Sequence, residues 1–130
     1  IDLSGIDVAR KILILARESG LAIELEDIAN NSFLPEACLN TSNVEDFFES
    51  LAANDAHFQA IVKKAEANGA QLKYVAQLEN GKASVGLQEV PEGHDFYNLS
   101  GSDNIILFYT NRYKDQPLIV KGAGAGAEVT

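Results

Sequence analysis

Residues 71–90, with the sequence QLKYVAQLENGKASVGLQEV, decide the fold. In the first half of this stretch apolar and polar residues alternate, as they do in a strand that buries one face. The apolar members are Leu72, Tyr74, Ala76 and Leu78. The dipeptide Asn80-Gly81 favours a type I′ turn and is the strongest short signal for a β-hairpin. We therefore predict two antiparallel strands, over residues 71–79 and 82–90.

The residues before this hairpin show helical patterns. Ser4 is predicted to be the N-cap of a first helix, with Asp7 in the capping-box position, and Gly20 is predicted to end it. Two neighbouring apolar stripes run along this helix at helical spacing. They consist of Ile6, Ala9, Leu13 and Ala16, and of Val8, Ile12 and Leu15. The stripes predict a helix of about four turns that packs on an apolar surface.

Two further helices are predicted between this helix and the hairpin. Asn43 has a suitable side chain to cap a helix that begins at Val44, and Gly69 follows a helix over about residues 55–68. Residues 21–25 alternate in polarity, which favours a strand. Residues 30–35 are predicted to be extended or looped, because the proline ring at position 35 restricts the preceding residue.

The residues after the hairpin predict a loop and two more strands. Residues 91–102 are rich in Gly, Asn, Ser and Asp, which is typical of a loop. The apolar run over residues 104–110 predicts a buried strand, and residues 118–121 predict another. Helices followed by strands, with no internal repeat, indicate an α+β fold. We expect the helices to pack on one face of a mostly antiparallel or mixed β-sheet.

The composition excludes several classes of protein. A chain of 130 residues, 46% hydrophobic and 22% charged, fits one globular domain, which we predict to span residues 1–130. The formal net charge of -9 argues against nucleic acid as a partner, because phosphate binding needs a basic surface. No apolar run approaches the roughly 20 residues that cross a bilayer, so we expect no membrane partner.

The cysteine and methionine content adds three expectations. The single cysteine, Cys38, cannot form a disulfide within the chain, so a reducing, cytoplasmic location is expected. Together with His57 and His94 it does not reproduce the spacing of a zinc site, so we expect no metal. The chain contains no methionine and begins at Ile1, which predicts that it is a piece of a longer protein.

Asp7 and Lys11 are the candidate site residues of the first helix. Their i,i+4 spacing places them on one face, where they could form a surface ion pair of about 0.3–0.5 kcal/mol. They could also bind a substrate ammonium group and transfer a proton. Desolvation would loosen the proton of such a lysine, whereas a neighbouring carboxylate would hold the proton on. The spacing leaves both interpretations open.

Residues 122–127, GAGAGA, follow a predicted strand and fit the G-x-G-x-x-A pattern of dinucleotide-binding loops. A complete Rossmann site also needs a helix, a second strand and an acidic residue about 20 positions later. Only three residues follow Ala127, so a complete site within this chain is excluded. The small residues either allow a close approach of the backbone to another group or form a linker.

Residues 2–11, DLSGIDVARK, resemble the end of the homoserine dehydrogenase signature, in which Asp-aliphatic-x-Gly-x-Asp is followed four residues later by Lys. Residues 12–17, 94–104 and 122–130 are similar to the same family, in order and at suitable spacing. The resemblance covers essentially the whole chain. Its first half most resembles the dehydrogenase portion of bacterial fused aspartokinase–homoserine dehydrogenases.

This resemblance implies an NAD(P)-dependent oxidoreductase that interconverts L-homoserine and L-aspartate 4-semialdehyde, on the route to threonine and methionine. It also implies that the chain is the substrate-binding, catalytic and dimerisation domain, while a Rossmann domain outside the chain holds the nicotinamide cofactor. A homodimer is therefore expected. The isolated fragment is expected to be inactive and to bind no cofactor.

The position of each residue in the family motif implies its role. Lys11 would give and take the proton at the substrate oxygen, Asp7 would bind the substrate amino group, and Asp2 would be a second catalytic acid. Three glycines correspond to the crossover where the backbone approaches the cofactor. They are Gly122, Gly124 and Gly126. The alternative is a non-catalytic small-molecule-binding or oligomerisation module, in which Asp7 and Lys11 are merely solvated.

Overall fold

A computed structural model of the chain describes residues 4–124. They divide after residue 91 into two compact units. The first unit contains α1 (Ile6–Glu18), a short 3-10 helix (Leu25–Asp27), β1 (Ala29–Asn31), α2 (Glu36–Leu39), α3 (Val44–Ala53), α4 (Asp55–Ala67), β2 (Ala70–Glu79) and β3 (Lys82–Pro91). The second unit contains β4 (Asp103–Phe108) and β5 (Leu118–Ala123).

The hairpin predicted from Asn80-Gly81 forms the centre of the first unit. β2 and β3 pair antiparallel along ten residues each, with Glu79 opposite Lys82 next to the turn. Asn80 has a φ of 51° and Gly81 a φ of 74°, the positive values that a type I′ turn requires at both central positions. β1 adds to the other edge of β3 in parallel, so the sheet is mixed, in the order β1-β3-β2.

α1 packs on this sheet through the apolar stripes predicted from its sequence. Ala9, Ile12 and Leu13 are buried in one cluster with Ala83 and Val85 of β3. The helix ends at the predicted place, because the N–H of Gly20 donates to the Arg17 carbonyl and the N–H of Leu21 to the Ala16 carbonyl. These two bonds form a Schellman motif, with Gly20 in the left-handed conformation at a φ of 90°.

The predicted start of α1 is wrong by one residue. Gly5, and not Ser4, is the N-cap, with a φ of 79°. The Ser4 hydroxyl accepts a long bond of 3.4 Å from the Ile6 N–H, and the glycine at the N-cap has no side chain to add another. Because Gly5 is the N-cap, Asp7 is the second helical residue and not the third, which is the position of the acidic residue in the predicted capping box. A glycine in the left-handed region turns the chain more tightly than the extended N-cap that the prediction assumed.

α4 lies on the same face of the sheet as α1. Glu89 of β3 is opposite Leu72 of β2, in the row of side chains that also packs against α1. The Asn68 amide donates to the Glu89 carboxylate at 2.9 Å, and Lys64 approaches the same carboxylate at 3.9 Å. The predicted α+β fold, with helices on one face of a mixed sheet, is confirmed for this unit.

The predictions for the connecting residues had mixed outcomes. The Asn43 side chain accepts from the Asp46 N–H at 2.8 Å, which confirms the predicted cap of α3. The strand over residues 21–25 is wrong. Arg17 forms an ion pair with Glu24 at 2.6 Å and donates to the Ile23 carbonyl at 3.1 Å. The Arg17 side chain thus binds the backbone of Ile23 and the side chain of Glu24. Because of these bonds, the segment does not pair with another strand and bends into the 3-10 helix.

β4 and β5 form an antiparallel ribbon in the second unit, with Phe108 opposite Leu118. Both strands were predicted, but the expected burial of the first was wrong. Ile106 is 36% exposed, Phe108 37% and Ile119 45%. A two-stranded ribbon has no second layer of its own to cover its apolar side chains.

Candidate functional site

Asp7 and Lys11 lie one turn apart on α1, as their spacing predicted. The Lys11 Nζ atom is 2.8 Å from Asp7 Oδ2, and the two side chains are 62% and 56% exposed. An exposed i,i+4 pair of this kind contributes only about 0.3–0.5 kcal/mol to stability. The fold therefore does not depend on this pair, and more than half of each side chain is exposed.

The pair combines two complementary chemical groups at one place. A carboxylate binds an ammonium group, whereas a lysine ammonium donates hydrogen bonds to oxygen and can exchange a proton. A small ligand that carries both an amine and an oxygen can thus contact both side chains. Asp2, the third predicted member of the site, lies outside the described residues.

The turn that leads into α1 is held by two strands. The Asn30 side-chain amide donates to the Ser4 carbonyl at 2.8 Å, and the Tyr74 hydroxyl donates to Asn30 Oδ1 at 3.2 Å. Gly5 is buried against this pair, and a Cβ atom at Gly5 would overlap the Tyr74 hydroxyl. Asn30, Tyr74 and Gly5 therefore fix the chain immediately before the Asp7–Lys11 turn.

Sequence reasoning missed Asn30 and Tyr74 as parts of this arrangement. Tyr74 was assigned to the buried face of its strand from the alternation of the hairpin, which is consistent with its half-buried position. No local pattern marks its bond to Asn30, because the two residues are 44 positions apart in the chain. Asn30 in turn is 26 positions from Ser4.

The candidate glycines of the second unit differ from one another. The Gly124 N–H donates to the Ser102 carbonyl at 2.7 Å, and a Cβ atom at Gly124 would overlap that carbonyl and the Asn104 amide. Gly122, in β5, has nothing within 4 Å of its Cβ position. The close backbone approach predicted for these glycines is thus present at Gly124, where the approaching group is the chain's own loop. Gly126 lies outside the described residues.

The other candidate side chains have local partners. His57 Nε2 is 3.1 Å from the Phe33 carbonyl, and His94 Nδ1 accepts from the Phe96 N–H at 3.1 Å. Cys38 is 2% exposed, and its sulfur contacts the Ser50 hydroxyl at 3.2 Å. Over residues 4–124, no three His, Cys, Asp or Glu side chains come close enough together to hold a metal ion. In the same range, no helix is long and apolar enough to cross a membrane.

Comparison with known proteins decides the family. The family model described as homoserine dehydrogenase matches residues 1–130. The chain belongs to the homoserine dehydrogenase family. This confirms the resemblance drawn from residues 2–11 and from the later segments.

Curated relatives are similar along the whole chain. The bifunctional aspartokinase/homoserine dehydrogenase 1 of Zea mays, a chloroplastic protein, is 51% identical over 131 residues, which cover 99% of this chain and 14% of that protein. The bifunctional protein of Haemophilus influenzae is 39% identical over 129 residues. The homoserine dehydrogenase of Schizosaccharomyces pombe is 41% identical over 132 residues, or 99% of this chain and 35% of that protein. The similarity to fused enzymes therefore includes plant as well as bacterial proteins.

A solved structure shares the fold. The crystal structure of a protein of unknown function from Candida auris matches 98% of this chain with a TM-score of 0.89 and 40% sequence identity. The chain spans 36% of that protein. It thus spans about one seventh of the maize relative and about a third of the two fungal proteins.

Proposed function

We propose that this chain is the substrate-binding, catalytic and dimerisation domain of a longer NAD(P)-dependent homoserine dehydrogenase. The full enzyme would interconvert L-homoserine and L-aspartate 4-semialdehyde in threonine and methionine biosynthesis. Family membership over residues 1–130 supports the reaction class. The small share of each relative that the chain spans supports its being one part of the catalytic protein.

The Asp7–Lys11 pair carries the proposal. Homoserine has an α-ammonium group at one end and a hydroxyl group at the other, and the aldehyde has a carbonyl oxygen in place of the hydroxyl. Asp7 would bind the ammonium group. Lys11 would accept the proton of the hydroxyl during oxidation and return it to the carbonyl oxygen during reduction. Holding both ends of the substrate orients its reacting carbon, which is a large part of what an enzyme contributes to such a reaction.

Asp2 would act as a second catalytic acid, on the basis of its place in the family motif. When bound, the nicotinamide would supply the hydride for the reduction and take it up in the oxidation. Gly122 suits a role near the cofactor, because the open space at its Cβ position lets another group approach the backbone closely. Gly124 would keep the same segment in place through its bond to Ser102, and Gly126 would lie at the crossover itself.

A homodimer is part of the proposal. The ribbon of β4 and β5 exposes large apolar side chains, among them Leu118 at 45% and Val120 at 51%. Clustered apolar exposure of this kind is typical of a surface that another chain covers. A second copy of the same domain is the partner that the family suggests. We also propose that the protein is cytoplasmic.

The test replaces Lys11 and Asp7 in the longer protein, that is, in this chain joined to the remaining segments of a homoserine dehydrogenase. Lys11→Ala is expected to lower kcat by about 10²–10⁴-fold, the usual effect of losing a positioned acid or base, while leaving the KM for the cofactor near normal. Lys11→Arg should not restore turnover, because arginine keeps the charge but does not release its proton. Asp7→Ala should raise the KM for homoserine.

Lys64→Ala is the matched control. Lys64 is also a helical lysine near a carboxylate, and its side chain is 75% exposed. Turnover within about threefold of the parent in Lys11→Ala, as expected for Lys64→Ala, would refute the catalytic role. The chain would then be a non-catalytic binding or oligomerisation module whose Asp7 and Lys11 form an ordinary surface pair.

A further inference from the structure

We propose that Asn30 and Tyr74 are positioning residues for the Asp7–Lys11 pair, a role that rests on the proposed function. They contact the turn of Ser4 and Gly5, which leads directly into the helical turn that carries Asp7. Through this turn they set where the Asp7 carboxylate lies when it meets the substrate ammonium group.

The start of α1 needs support from outside the helix. The first N–H groups of a helix have no partners within it, and a side-chain cap usually satisfies one of them. The N-cap of this helix is a glycine, which has no side chain to do so, and the Ser4 hydroxyl accepts only a long bond of 3.4 Å from the Ile6 N–H. Its first helical hydrogen bond runs from the Ala9 N–H to the Gly5 carbonyl, at 2.9 Å. The position of Gly5 therefore decides whether the first turn closes.

The support comes from the sheet. The Asn30 amide holds the Ser4 carbonyl at 2.8 Å, and the Tyr74 hydroxyl holds Asn30 Oδ1 at 3.2 Å while it packs under Gly5. Asn30 is opposite Val85 and Tyr74 is opposite Leu87, so the two side chains reach the turn from both flanks of β3. A turn held from two sides by one sheet has little freedom to shift.

The aromatic neighbours of Tyr74 fix its ring. Phe33 meets the Tyr74 ring edge-on with 6.2 Å between centroids, and Phe58 of α4 meets Phe33 in the same way at 6.4 Å. Edge-to-face contacts of this kind favour one ring orientation. The hydroxyl is therefore held in place by packing that Tyr74→Phe would preserve, which makes this variant a clean removal of the hydroxyl group.

The consequence is a selective effect on substrate binding. One neutral hydrogen bond contributes about 0.5–1.5 kcal/mol, which corresponds to a roughly 3- to 10-fold change in an equilibrium. We expect Tyr74→Phe and Asn30→Asp to raise the KM for homoserine by about this factor, with the KM for the cofactor unchanged. Asn30→Asp keeps the acceptor for Tyr74 but replaces the donor to Ser4 with an oxygen.

Two measurements test the proposal, with Tyr113→Phe as the control for loss of an exposed tyrosine hydroxyl. The first is amide hydrogen exchange, which needs no activity. The Ala9 N–H should exchange roughly 3- to 10-fold faster in Tyr74→Phe, while Ile12 and Leu13, one turn further along, should stay at the parent rate. The second is the KM for homoserine in the longer enzyme.

The outcomes separate this inference from the proposed function. If the Ala9 N–H exchanges at the parent rate in both Tyr74→Phe and Asn30→Asp, the positioning role is overturned, whatever the values of KM. A second outcome is faster exchange of the Ala9 N–H in these variants with an unchanged KM for homoserine. If Lys11→Ala inactivates the same enzyme, this outcome would overturn the positioning role while the proposed function stands. Full turnover in Lys11→Ala would overturn the proposed function and, with it, the role of Asn30 and Tyr74 toward a catalytic pair.

Discussion

Replacing Gly5 with alanine should destabilise the first unit more than the same change at Gly20. Both glycines have a positive φ, 79° and 90°, so alanine is strained at either position by about 1–2 kcal/mol. A smaller opposing effect of about 0.4–1 kcal/mol arises because alanine restricts the unfolded chain. These two contributions act alike at both sites, and they leave a net loss of roughly 0–1.5 kcal/mol.

The surroundings of the two glycines differ. A Cβ atom at Gly20 meets nothing within 4 Å, whereas at Gly5 it overlaps the Tyr74 hydroxyl and lies 2.9 Å from Tyr74 Cζ. The ring must move, which breaks its bond to Asn30, at about 0.5–1.5 kcal/mol, and strains the packing by about 1–3 kcal/mol. We therefore expect Gly5→Ala to lower the free energy of unfolding by about 1.5–6 kcal/mol, more than Gly20→Ala.

Denaturant unfolding followed by far-ultraviolet circular dichroism is the assay, because the described helices all lie in the first unit. The protein concentration is kept fixed, since self-association would change the apparent stability. In a Tyr74→Leu background, which lacks the hydroxyl and Cζ, adding Gly5→Ala should destabilise much less than it does in the parent chain, because only Asn30 Oδ1, at 3.2 Å, remains close to the Cβ position. Equal losses for Gly5→Ala and Gly20→Ala in the parent chain would refute the close packing of Tyr74 on Gly5.

Three further outcomes are expected. The chain should self-associate as its concentration rises, and Ile119→Lys should weaken this association because it places a charge on the β4–β5 ribbon. A single 14.0 kDa species in sedimentation at high concentration would contradict a dimer surface. Calorimetric titration of the 130-residue chain with NADPH should give no micromolar binding, because a complete Rossmann unit is not encoded in it. Gly124→Ala should disturb the amide signals of residues 102–104, because its Cβ would overlap the Ser102 carbonyl, while Gly122→Ala should leave them unchanged.

The features that sequence predicted well are those decided by neighbouring residues. The Asn80-Gly81 turn sets the register of β2 and β3 through two adjacent φ angles. The Asn43 cap reaches only three residues along the chain, and the Asp7–Lys11 pair only four. In each case the geometry of a single turn brings the partners together, so their spacing is sufficient evidence.

The features that sequence missed depend on distant or weakly patterned contacts. α2 has four residues, too few to show a helical period. Residues 21–25 have the alternation of a strand, but the Arg17 side chain of the preceding helix binds the Ile23 carbonyl and the Glu24 carboxylate. The apolar run of β4 indicates a strand but carries no information about which surface covers it.

The two side chains of the Asp7–Lys11 pair do not by themselves distinguish it from an ordinary surface ion pair. Arg17 and Glu24 form a shorter ion pair, at 2.6 Å, which is just as open to solvent and shapes only a connecting segment. Distance and exposure therefore do not set the Asp7–Lys11 pair apart from the Arg17–Glu24 pair. The two pairs differ in what holds them, because the turn before Asp7 is fixed by a buried glycine and by side chains from two strands.

A surface ion pair of a few tenths of a kcal/mol needs no such support. A carboxylate that must meet a substrate ammonium group does, since a displacement of about 1 Å at a reacting site can lower the rate by about 10²-fold. The support of the turn is therefore a second structural argument, beside the pair itself, for a site at this end of α1.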